Sequence, residues 1–232
     1  MNDELEMVER FFGFGRWGAP YWFIGPEPGG EGNDLRASAW ISRFKKADLV
    51  DCKEFHDALV REMSDRGFES KSIRKVKRWY PEPPESSKLQ PTWRRLILLL
   101  MAYLDKPQER SDPSTYQRDS WGRVDAKKGE TCVIELLGLP AKGLIGEIEE
   151  HGLKLKRTTC IRKMILANKP ELAVMYGRSE ENYWKLIAGP DLPRDKVMML
   201  GTTKIIFLPH PNDFGRMDEE WITWGEKLRN SG

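Results

Sequence analysis

The chain has 232 residues, of which 39% are hydrophobic and 32% charged, and Lys plus Arg (38) nearly balance Asp plus Glu (36). This length favours one large domain over two independent cores, and 9 Trp, 9 Phe and 6 Tyr exclude disordered and collagen-like classes. The longest apolar run, 96–104, is too short to span a bilayer, and no basic segment followed by an apolar stretch opens the chain, so a cytoplasmic protein without membrane contact is expected.

Residues 21–24 read as a buried strand, closed by a turn sequence rich in Gly and Pro over 25–32. Helical periodicity follows over 35–44 and 53–66. The stretch 70–91 has the composition of a long surface loop, Pro91 opens a helix over 92–104, and 106–130 reads as a second long loop. A strand over 131–137 precedes a helix over 157–167, a strand over 172–176 precedes a helix over 180–187, and a strand over 204–208 precedes a helix over 219–228. The four strands are continuously apolar rather than alternating, which fits parallel strands covered on both faces. The expectation is an α/β three-layer sandwich with a central four-stranded parallel sheet flanked by helices, a single domain over 1–232.

Charge is segregated although the total is balanced. Eight bases fall between Lys71 and Arg95, among them Arg74, Lys75, Lys77 and Arg78, and six fall between Lys154 and Lys169 with no acid. Such runs fit a polyanion-binding face, and a solvated helix surface equally. Cys52, Cys132 and Cys160 are widely spaced without a CxxC pair, which argues against metal sites and disulfides and for reduced packing residues. No metal or cofactor is implied.

Open parallel sheets bind ligands beyond the carboxyl ends of their strands. Gly25-Pro26-Glu27-Pro28-Gly29 follows the first strand. It lacks the phosphate-binding glycine patterns, spends two positions on prolines without N–H, and presents a carboxylate, so nucleotide binding is disfavoured. His210-Pro211-Asn212 follows the last strand, placing a stiffly held imidazole over the same crevice as Glu27.

These two motifs, in this order and at these strand ends, resemble those of the uracil-DNA glycosylase superfamily. The strand 133–137 and the helix-plus-strand segment 169–177 match its supporting frame, so the resemblance runs from Trp22 to about Arg216. It implies that the fold is uracil-DNA glycosylase-like, that Glu27 positions water against the anomeric carbon of a flipped nucleotide, and that His210 steadies charge on the departing base. It further implies that Trp40 stacks on the base, that Asn212 belongs to the base pocket, that Phe214 enters the DNA stack and that Arg216 meets phosphate.

The sequence departs from the family at the second strand, where uracil-excising members carry Asn and this chain places Glu135. An ionised carboxylate only accepts hydrogen bonds, so it suits the amino group of a cytosine-type base and repels uracil O4. Alternatively Glu135 pairs with Arg or Lys in the frame, and Trp40 is a core residue of its helix. The function implied is a monofunctional DNA glycosylase, monomeric, acting on DNA with a damaged or modified base in repair or antiviral defence. The alternatives are a uracil-DNA glycosylase and a catalytically weak nucleic-acid-binding module of the same fold.

Overall fold

The four continuous apolar runs lie side by side at the centre of one sheet. The structure, a computed structural model, describes residues 3–26, 33–44, 47–77, 89–108, 112–139, 146–213, 215 and 217–231. Its strands are β1 (Gly13–Gly15), β2 (Tyr21–Gly25), β3 (Leu49–Val50), β4 (Thr131–Glu135), β5 (Leu172–Tyr176), β6 (Val197–Leu200) and β7 (Thr203–Leu208), in the order β3-β1-β4-β2-β5-β7-β6. Strands β4, β2, β5 and β7 are mutually parallel, whereas β1 joins β4 and β6 joins β7 antiparallel. The sheet is therefore mixed and seven-stranded, correcting the expectation of four strands: the four apolar runs are its parallel centre, and three short strands extend the edges.

Strand alternation divides the interior in two. Phe23, Val133, Val174 and Ile206 point to one face and pack against α1 (Asp3–Arg10), α2 (Asn33–Phe44), α3 (Cys52–Asp65), α5 (Pro91–Tyr103) and α9 (Asp218–Asn230). Trp22, Ile134, Met175 and Phe207 point to the other and pack against α7 (Glu147–Asn168) and α8 (Glu181–Ala188). Helix α5 is buried along 96–103 because it lies between the sheet and α9, which explains why its sequence is apolar on every side.

The two stretches read as loops each contain a helix, α4 (Ser70–Lys77) and α6 (Asp112–Asp119). Among the described residues no helix is long and apolar enough to cross a membrane. Cys52 and Cys132 are buried, Cys160 is half-buried, and all three are free thiols.

Candidate active site

Parallel strands bring all their carboxyl ends to one rim. Gly25 of β2 stands opposite Glu135 of β4, and Tyr176 of β5 stands opposite Leu208 of β7, so the segments after β2, β4, β5 and β7 emerge together. Backbone bonds carry the β2–β4 pairing past the strand ends, from Leu136 N–H to Gly25 O (2.7 Å) and from Leu137 N–H to Pro26 O (3.0 Å). Pro26, the residue before Glu27, is thereby fixed to the frame.

His210 is held by a closed turn. Asp213 N–H donates to His210 O (3.0 Å), and the Asp213 carboxylate accepts His210 N–H (3.1 Å). Arg95, at the start of α5, donates to the Pro211 carbonyl and pairs with Asp218 at the start of α9. The backbone N–H of Asn212 lies 3.1 Å from His210 Nδ1. An amide N–H only donates, so Nδ1 accepts and the proton of the neutral ring sits on Nε2. Burial lowers the pKa of His210, and the charge of Asp213 opposes this in part. At neutral pH the imidazole is therefore an uncharged hydrogen-bond donor through Nε2.

Two glycines allow the close packing here. A Cβ on Gly25 would stand 2.2 Å from the Tyr176 hydroxyl and 2.8 Å from Glu135 Oε2, so the Tyr176 ring and the Glu135 carboxylate share the space above that bare backbone. Gly177 has φ +96°, a conformation costly for any side chain, and a Cβ there would meet Pro26 at 3.5 Å and His210 Cδ2 at 3.9 Å. Tyr176 meets His210 edge to face, with ring centroids 5.6 Å apart. Pro26, Glu135, Tyr176, Gly177 and His210 thus form one wall.

Glu135 is 7% exposed, and the charges of Arg36 and Arg157 act on it. Burial pushes the pKa of Arg36 down and Glu135 opposes that shift; burial and the Glu135 charge both push the Tyr176 phenol well up. Arg157, 2% exposed, donates to the carbonyls of Leu136, Val8, Glu9, Phe11 and Glu135 and lies 3.8 Å from the Phe12 ring centroid. Burial lowers its pKa to about 9, so it is charged at neutral pH. It is the post on which the end of β4 rests.

The expected site residues divide into three groups. His210 and Glu135 are brought to the same rim, and Asn212 joins through its backbone with an exposed side chain. Trp40 is not on the rim: it is fully buried, tilted against Phe11 and donating its indole N–H to Ala47 O (3.2 Å). Its stacking role is replaced by a core role, because α2 turns that face inward. Glu27, Phe214, Arg216 and Arg78 lie outside the described residues, as do the side chains of Lys75 and Lys77, while Arg74 is exposed on α4.

The basic run 154–169 is not a continuous polyanion face either. Lys154 is buried between Glu150 (2.8 Å) and Glu180 (3.2 Å), Arg157 is internal, and Arg162 is tied to the Ile187 carbonyl. Sequence reasoning gave no site role to Tyr176 or Arg36, and counted Arg95 and Arg157 only within basic runs, whereas Arg95 holds the His210 turn and Arg157 supports the end of β4. The spacing of Arg157, Ile161 and Ile165 along one helix face was the signal that Arg157 points inward.

Among the described residues no group of three or more His, Cys, Asp or Glu could hold a metal ion. Comparisons with protein-family models, with curated proteins and with solved structures give no match.

Proposed function

We propose that the chain is a monofunctional DNA N-glycosylase that takes a pyrimidine of cytosine type out of the stack and hydrolyses its N-glycosidic bond, in DNA repair or in defence against phage. The observation that carries the reading is the neutral His210 at the rim, whose Nδ1 accepts from Asn212 N–H and so leaves the proton on Nε2. Cleavage of the bond between the anomeric carbon and the base leaves the electron pair on the base, and an uncharged donor aimed at its carbonyl oxygen stabilises that charge. Glu27, next in the chain after Pro26, supplies the carboxylate that aligns the attacking water, which gives its hydroxyl to the sugar and a proton to solvent. Glu135 accepts from the exocyclic amine of the flipped base.

The test is single-turnover cleavage of oligonucleotides carrying uracil, cytosine or modified cytosines, with abasic sites revealed by alkali. Glu27→Gln and His210→Ala should each slow release by about 10²-fold or more. Wild-type rates in either variant overturn the mechanism. The placement of Trp40 in the core favours a second reading, a nucleic-acid-binding module of low catalytic power. Binding without release of any base in the panel would select it.

A further inference from the structure

The opposite end of the sheet carries a basic cleft that plays no part in the site at the rim. It has a volume of about 570 Å³ and is lined by five bases, Lys53, Arg118, Arg123, Lys127 and Lys128, together with Asp119, Ser120 and Glu130. These come from the first turn of α3, the end of α6 and the turn before β4, so three elements converge on it. A water molecule takes about 30 Å³, so the cleft holds far more than one small ion.

Asp51 and Asp125 fix the backbone that carries these cations, and Asp51 also holds the Arg123 side chain. Asp51 caps α3 by accepting the N–H groups of Lys53 (3.0 Å) and Glu54 (3.2 Å) on one oxygen. The other oxygen accepts Arg123 Nε (2.9 Å) and Val124 N–H (3.2 Å). Arg123 also donates to the Arg118 carbonyl at 2.8 Å. The turn that presents the two lysines is closed by Asp125, whose carbonyl accepts the N–H groups of Lys128 and Gly129 and whose carboxylate accepts that of Lys127.

Three of the five cations are already in ion pairs, and Glu130 is held by residues outside the lining. Asp57 pairs with Lys53, Asp119 with Arg118, Asp51 with Arg123, and Glu130 with Lys106 and the Tyr116 hydroxyl. Lys127 and Lys128 are exposed, and among the described residues neither ammonium lies within ion-pair distance of a carboxylate. The exposed Lys127 and Lys128 ammonium groups, beside the paired guanidiniums of Arg118 and Arg123, suit phosphate oxygens.

We propose that this cleft binds an oligophosphate group, carried by a small phosphate ester or by a nucleic-acid backbone. The inference does not depend on the glycosylase reading, because the cleft and His210 lie at opposite ends of the parallel strands.

The experiment is calorimetric titration of the full chain with tripolyphosphate, repeated with a single-stranded oligonucleotide as competitor. Lys127→Ala with Lys128→Ala should weaken tripolyphosphate binding by roughly tenfold or more, and the double Arg variant at the same positions should restore it. Both side chains are exposed, so an unchanged unfolding midpoint will show that the fold is intact. Displacement by the oligonucleotide assigns the site to a strand backbone, and tripolyphosphate binding without displacement assigns it to a small phosphate ester. No binding at millimolar tripolyphosphate, or equal binding by wild type and the double Ala variant, overturns the proposal. His210→Ala should leave this binding unchanged, so a protein inactive on every base but binding tripolyphosphate would refute the glycosylase reading alone.

Discussion

Arg157→Met keeps most of the buried aliphatic stem and removes the guanidinium. The carbonyls of Val8, Glu9, Phe11, Glu135 and Leu136 lose a charged donor, and Glu135 loses one of the two cations acting on it. Single hydrogen bonds to a charged group contribute about 1.5–3 kcal/mol, but five bonds from one group do not add. Breaking a buried charged network costs about 3–5 kcal/mol in total. For a domain of this size each kcal/mol moves the melting midpoint by about 2–4 °C, so the variant should melt roughly 6–20 °C below wild type. Urea unfolding at pH 7 followed by far-UV circular dichroism measures the loss directly. Arg157→Lys retains a charge with three donors and should fall between the two. A loss below about 1 kcal/mol for Arg157→Met would refute the reasoning, since it would mean that those carbonyls are satisfied without the guanidinium.

Three further outcomes can be checked independently. His56 donates from Nε2 to Val76 O (2.8 Å) and burial lowers its pKa, so the unfolded chain takes up its proton first as pH falls. Stability should therefore decline below the ordinary histidine pKa of about 6.5 until the folded-state value is passed, and His56→Gln should flatten the urea midpoint between about pH 7 and 5. Gly25→Ala puts a methyl 2.2 Å from the Tyr176 hydroxyl and should cost roughly 1–3 kcal/mol in chemical denaturation; a neutral result would mean that the ring swings away freely. Replacing Arg74, Lys75, Lys77 and Arg78 with Ala should flatten the dependence of log affinity for DNA on log salt by up to about 0.9 per phosphate contact removed, and an unchanged slope would assign α4 to ordinary solvated surface.

The parallel centre of the sheet was legible because strands covered on both faces must be continuously apolar, as 172–176 is. The edges were not. Gly13-Phe14-Gly15 offers no strand-forming run, yet a Cβ at Gly13 would stand 2.1 Å from the Val133 carbonyl, so the sequence there answers to a close approach that only the fold reveals. Helix α7 was foreseen only in its second half, because Gly152 and the acids around it break the apolar period. At the rim, His210 could be read from its prolines and strand, whereas Trp40 could not be placed by distance in sequence alone: the inward face of α2 depends on what packs beneath it. Arg157 was hidden among bases that were taken together as a polyanion face, and only the contacts of each side chain separate the buried ones from the exposed.

The two outer strands differ in what they offer to another molecule. β3 is two residues long and presents almost no ladder. β6 runs for four residues, pairs on one side only among the described strands, and carries Met199 at 54% exposure. An unpaired strand edge is a template for strand addition. With a competent edge on one side alone, growth by that route ends when two β6 edges meet across a twofold axis, giving a closed pair rather than an open fibre.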